Sequence, residues 1–217
     1  MNTTAASQNT ASLNTVWRTV LAESYRALED AVAGVGDDQW QSPTPCSEWT
    51  VTQVVQHAAG DQLAYAASLG FGVGPAYDPF DPSGELADAP LALVRAAIEP
   101  TALAWSTVTD ETPTVPTPLP HGELPTAVAA VLCALDAAVH AWDIAVATGG
   151  PSPLTDELAT HLLTAARTVN PGPGGSPDME IVEPLRQWGA YSAVLDGEPG
   201  DGPVEELLRY LGRDPRG

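Results

Sequence analysis

The amino-acid sequence predicts an all-α bundle. Long runs place apolar residues at helical spacing, Pro- and Gly-rich segments separate those runs, and no strand-like alternation extends over any length. Helices of this length joined by crossovers build their sites in the bundle interior, from side chains on facing helices.

The first helix is expected from Leu13 to about Val35, with Val16, Val20, Leu21, Leu28 and Val32 near a 3.6-residue period. A polar stretch, "GDDQWQSPTPCSEW", follows it. The second helix has a defined start, because Thr50 and Gln53 form a capping box. It continues through "VTQVVQHAAGDQLAYAASLG", with Gly70 as its C-cap. Residues 71–87, "FGVGPAYDPFDPSGELA", carry too many Pro and Gly for regular structure and read as a long crossover or lid. A third helix is expected over about Ala89–Thr109, followed by a Pro-rich, partly extended connection. The fourth runs from Thr126 to Thr148 and stops at Gly149-Gly150. Thr155, with Asp156 and Glu157 in the first turn, announces a shorter fifth. "PGPGGSPD" reads as a flexible joint, residues 179–199 as a helix then a loop, and "PVEELLRYLG" as a final turn docking through Leu207, Leu208 and Leu211. The domain reading is a disordered leader over residues 1–11 and a single helical domain over 12–217, whose C-terminal appendage covers about 171–217.

Composition narrows the function. With 28 acidic residues against 8 basic ones, a formal charge of −20 repels phosphate backbones and anionic membranes. Nucleic acid and membrane are therefore not expected as partners, and a small-molecule substrate is. An anionic ligand would need a local positive centre such as a metal ion. Cys46 and Cys133 form neither a C-x-x-C pair nor a disulfide scaffold, and "MNTTAASQNTAS" lacks the basic and apolar regions of a signal peptide, so a cytoplasmic protein is expected. The oligomeric state is open, a homodimer among the alternatives.

The candidate chemistry lies on two helices. Of the four histidines, His57 and His140 sit mid-helix among apolar neighbours. Asp136 and Asp143 fall within about 60° of His140 around the helix axis. Asp136-x-x-x-His140 offers two ligands from one helix and His57 a third, a set suited to Zn²⁺ or another divalent first-row metal. The competing reading is a solvated acidic face and hydrogen-bonded core histidines. Asp61 and Asp143, each about one turn from a candidate His, are candidates to orient the imidazoles. His121, His161 and Cys46 are expected outside the ligand set, Cys46 for want of a nearby base that would lower its pKa. Hydrolase triads, phosphate loops and dinucleotide fingerprints are absent from the sequence.

"TPCSEWTVTQVVQHAAG", "HGELP", "LDAAVHAWDIAVATG" and "EELLRYLGRDP" together resemble the actinobacterial DinB-like metal-binding proteins, related to the N-terminal domain of mycothiol-dependent maleylpyruvate isomerase. The resemblance covers roughly residues 13–215. It implies a DinB-like four-helix bundle holding a divalent metal, usually zinc, on His57, Asp136 and His140. Where the isomerase has Glu, this chain has Asp136, a shorter acid that must come closer or bind through water. Thr52 and Gln53 replace the usual basic–acidic pair after "WTV", and the isomerase's separate C-terminal domain is not expected here. The implied activity is mycothiol-dependent thiol transfer or isomerisation, in a pocket with Trp142, Trp188 and Tyr191 as candidate lining. The alternatives are a metal-dependent hydrolase, a tailoring or cyclising enzyme of secondary metabolism, or a non-catalytic metal-binding bundle.

Overall fold

The computed structural model describes residues 3–46, 48–86 and 89–217. Residues 1 and 2 of the expected leader and residue 87 of the expected lid lie outside the described residues. The fold is mostly helical, and its long helices are α1 (Thr3–Ala33), α2 (Val51–Ser68), α3 (Pro90–Ser106) and α4 (Thr126–Thr148). The backbone of α1 thus begins ahead of the expected Leu13 and takes in most of the stretch read as a leader.

α4 is the centre of the bundle. It packs along α1 and against α2, and α2 packs against α3. Helix α4 is long and apolar enough to cross a membrane, and nearly all of it is buried inside the bundle. A helix that is apolar all round belongs in a core. Asp136, His140 and Asp143 therefore point into protein and not to water, so the solvated-face reading fails. Thr50 caps α2 as expected: its hydroxyl accepts from the Gln53 amide at 3.4 Å, while Gln53 Oε1 accepts from the Thr50 amide at 3.0 Å.

Two connections differ from expectation. The Pro-rich segment before α4 forms a short antiparallel hairpin, β1 (Thr114–Pro116) with β2 (Glu123–Pro125), with Val115 opposite Leu124. These two side chains are buried while their neighbours are exposed, a period-2 pattern too short to stand out among prolines. The stretch read as a flexible joint is a second hairpin, β3 (Val169–Gly172) with β4 (Ser176–Glu180). Its Pro and Gly residues make the turn, where Gly174 takes φ +66°.

The remaining helices are α5 (Asp156–Ala166), α6 (Val182–Trp188) and α7 (Pro203–Tyr210). α7 docks on α5 through buried Leu207, Leu208 and Leu211, the residues expected to do so. It ends in a Schellman motif, in which Arg213 N–H donates to Leu208 O at 2.9 Å and Gly212 N–H to Arg209 O at 3.0 Å. Gly212 has φ +79°, and a Cβ there would lie 2.6 Å from Ser192 Cβ. Only glycine fits this turn, and the turn sends Arg213 back toward α4.

Candidate metal centre

His57, Asp61 and Tyr65 follow one another at four-residue intervals on α2 and line one wall of a cavity of about 630 Å³. Asp136 and His140 on α4 line the facing wall. The three expected ligands converge. Asp136 Oδ1 lies 3.4 Å from His57 Nε2 and 3.4 Å from His140 Nε2, and one donor atom from each residue falls within 4.8 Å of the others. The imidazole rings meet edge to face at 4.8 Å.

The far side of each ring is held by a hydrogen-bond acceptor. His57 Nδ1 is 2.8 Å from the carbonyl oxygen of Pro79, and His140 Nδ1 is 2.9 Å from Asp143 Oδ2. A carbonyl and a carboxylate can only accept, so both Nδ1 atoms carry the proton. In the neutral rings the Nε2 lone pairs are then left facing Asp136. Among the described residues Asp136 Oδ2 has no hydrogen-bond partner although it is buried, a costly state for a carboxylate oxygen unless a further group satisfies it. Two imidazole nitrogens with fixed tautomers and an orphaned carboxylate oxygen on a cavity wall are a donor set that fits a divalent metal.

Without a metal, the charges at the site hold an extra proton on His140 that a bound metal would displace. Burial alone would lower the His140 pKa, but Asp136 and Asp143 outweigh it and raise the value to about 10. Burial would raise Asp136, and the two histidines hold it well below the usual carboxylate range. Asp143, also raised by burial, is brought down to about 2 by Arg213 and His140. Asp61 is pushed upward by burial and then by the nearby Asp136 charge.

A second group, Cys46, His140 and Asp143, also has its donor atoms close together. Asp143 is committed elsewhere. It is 0% exposed, and its two oxygens accept from Arg213 Nε at 2.9 Å and Arg213 Nη2 at 2.8 Å. This bidentate pair favours the His57–Asp136–His140 set as the metal site.

Several residues fall elsewhere than expected. Asp61 does not orient His57: the Pro79 carbonyl does, and Asp61 faces the cavity. Trp142 is 3% exposed in the core and is not among the cavity-lining residues, whereas Trp188 and Tyr191 are. α4 is buried on all sides, so a Trp two positions beyond His140 turns into packing. Cys46 lines the cavity and has a base nearby after all, Arg213 Nη2 at 3.7 Å. Burial still raises its pKa, against the opposing effects of His140 and Arg213. His121 and His161 do not line the cavity.

The sequence reading missed Arg213, Pro79, Trp49 and Phe80. Trp49 and Phe80 flank His57 with ring centroids at 4.6 and 5.0 Å, and Phe80 meets Trp188 at 4.6 Å. The loop carrying Pro79 and Phe80 is fastened to α2. Tyr77 hydroxyl donates to Gln56 O at 2.6 Å, Gln56 Nε2 to Glu85 O at 2.6 Å, and Gln53 Nε2 to Pro82 O at 3.0 Å. Gln53 thus holds the lid. The signal available in the sequence was the pair of amides Gln53 and Gln56, buried-facing side chains that need partners.

The chain matches the family described as the mycothiol maleylpyruvate isomerase N-terminal domain over residues 21–145, a span holding all three converging ligands. The chain belongs to this family. Two uncharacterized proteins of Mycobacterium tuberculosis, from strains CDC 1551 and H37Rv, are each 37% identical to it over 197 residues, covering 89% of this chain and 94% of theirs. No solved structure matches the chain. The mycothiol maleylpyruvate isomerase N-terminal domain match ends before Trp188, Tyr191 and Arg213, so part of the cavity wall lies outside it.

Proposed function

We propose that the protein is a metal-dependent enzyme of small-molecule thiol chemistry, with zinc as the metal and mycothiol as the co-substrate. The carrying observation is the convergence of His57 Nε2, Asp136 Oδ1 and His140 Nε2 on the wall of a cavity large enough for a small organic ligand. His57, Asp136 and His140 would hold the metal, which when bound supplies a Lewis-acid centre that makes a thiolate available at neutral pH. Pro79 O and Asp143 keep the two imidazoles in the ligating tautomer. Trp49 and Phe80 pack against the His57 ring. Trp188 and Tyr191 add an apolar wall against which a second substrate can lie. Conjugation would add the thiolate sulfur to one carbon of an activated C=C bond, the π pair moving to the neighbouring carbon and taking up a proton there; isomerisation would turn about the resulting single bond before that carbon is protonated and expel the thiolate to restore the double bond.

The test combines occupancy with turnover. Purified protein loaded with zinc should hold about one ion per chain, and His140→Ala should lose most of it. The loaded protein should accelerate conjugation of mycothiol to a general electrophile, with no acceleration in His140→Ala. Zinc binding without any thiol-dependent rate, and without any change on thiol addition in the spectrum of the cobalt-substituted protein, would refute the thiol reading while leaving the metal site.

A further inference from the structure

Beyond the metal ligands, the cavity floor carries polar groups without partners. Tyr65 is 1% exposed and lines the cavity, yet its hydroxyl has no hydrogen-bond partner among the described residues. Asp61, one turn earlier on the same face of α2, is half-buried, lines the same cavity and likewise has no side-chain partner among the described residues. Other buried polar side chains on α2 are satisfied: Gln62 Nε2 donates to Cys133 O at 3.2 Å, and Gln56 holds the lid. The rest of the Tyr65 side chain is buried, so a hydroxyl that opens onto the cavity with no protein partner is free to bond a ligand there.

We infer that Asp61 and Tyr65 form a binding subsite beside the metal ligands, recognising an uncharged polar group, a carboxamide or a hydroxyl, on an aromatic or apolar second substrate. Tyr65 donates to the ligand oxygen, and Asp61 accepts from its N–H or O–H. A carboxylate fits poorly. It would face Asp61 and Asp136, with Glu48 and Asp78 also on the wall. Arg213 is the one Lys or Arg among the lining residues and His140 is the other cation of the metal-free site; Asp143 matches Arg213 through two hydrogen bonds, and Asp136 matches His140 at 3.4 Å. The rings of Trp49, Phe80, Trp188 and Tyr191 supply the apolar surface for the rest of the ligand. The inference rests on the proposed function only in taking this cavity as the place where a substrate binds, and it needs neither thiol nor turnover.

The experiment measures binding of benzamide, benzoate and toluene to the metal-free full chain by quenching of tryptophan fluorescence, and repeats benzamide after zinc loading. Benzamide should bind at least about tenfold more tightly than benzoate, and with zinc present it should still bind. Tyr65→Phe and Asp61→Leu should each weaken benzamide about tenfold, the loss of one hydrogen bond to a neutral group. Toluene, which has no polar group, should bind both variants as it binds the parent, and both should keep their zinc. Benzoate binding as tightly as benzamide, no benzamide binding at all, or Tyr65→Phe within twofold of the parent would overturn the subsite. So would equal losses for toluene and benzamide in Tyr65→Phe, since the residue would then act through packing. A protein that binds benzamide in this manner but shows no thiol chemistry keeps the subsite and loses only the proposed reaction.

Discussion

Replacing Arg213 with Met removes one half of the buried pair that fixes His140. Asp143 is fully buried, and two of its hydrogen bonds come from Arg213 at 2.9 and 2.8 Å. Met fills most of the volume of the arginine stem but leaves the carboxylate with only His140 for compensation. Removing one partner of a buried ion pair typically costs about 3–5 kcal/mol, because the remaining charge stays desolvated. For a chain of 217 residues this is a fall of about 6–20 °C in Tm. The groups that orient a metal-binding imidazole are worth roughly 10- to 100-fold in affinity, so zinc binding should weaken by that order as Asp143 and His140 shift. Asp143→Asn with Arg213→Met removes both charges and keeps an oxygen to accept from His140 Nδ1. It should recover most of the lost stability, since removing a buried pair entirely is often close to neutral. Thermal melts of the metal-free proteins and competitive zinc titrations read the two effects separately. An Arg213→Met protein within about 1 kcal/mol of the parent, and with unchanged zinc affinity, would show that the pair neither stabilises the fold nor positions His140.

Two further outcomes follow from the site and its lid. In the metal-free protein the His140 pKa stands near 10, above the unfolded value, so its contribution to stability is complete below about pH 6.5 and is lost as the pH rises through about 10. Metal-free protein should therefore lose Tm between pH 7 and 10 relative to His140→Gln, and zinc uptake at pH 7, measured by calorimetry in buffers of different ionisation enthalpy, should release close to one proton; zinc binding without proton release would contradict the charged state of His140. Gly60→Ala places a Cβ 2.9 Å from Pro79 Cγ and 3.2 Å from Tyr77 Cε2. The roughly 1 kcal/mol that Ala gains over Gly in a helix should then be offset by displacement of the lid, seen as faster hydrogen exchange at the Gly84 N–H that donates to Gln56. A stabilised variant with unchanged exchange would mean that the lid accommodates the methyl.

How much of this was legible in the sequence depends on distance along the chain. α4 and its end at Gly149 could be read directly, because a long apolar run stops at a glycine that takes φ +71°. The capping box of α2 was equally local. Asp136 and His140 could be picked out as candidates because side chains four apart share a helix face, His57 because it is the other mid-helix histidine among apolar neighbours, and Asp143 because a carboxylate three positions after His140 shares its face. The two hairpins were missed since their strands are short and their turns rich in Pro and Gly, which reads as loop. Pro79 offers a backbone carbonyl, an atom every residue possesses, so no side-chain pattern marks it. Trp142 illustrates the opposite error. Proximity to His140 in sequence suggested the pocket, but on a helix buried all round, adjacent positions face different neighbours.

Arg213 shows why the rest of the site needed three dimensions. It pairs with a residue 70 positions away, and nothing local distinguishes it from the arginines that make surface ion pairs. Its position is set by the docking of α7 on α5. Leu207, Leu208 and Leu211 are all buried, and full burial of a Leu side chain is worth about 1.5–3 kcal/mol each. That apolar gain offsets the cost of taking Arg213 and Asp143 out of water, which their mutual attraction alone does not cover. The Schellman turn at Gly212 then converts the docked helix into a defined guanidinium position. Packing of the C-terminal segment is thereby coupled to the orientation of His140, although the ligands themselves all come from α2 and α4. A local opening of α7 would release Arg213, free Asp143 and loosen His140 in one step, so the integrity of the proposed metal centre is tied to a helix that contributes none of its candidate ligands.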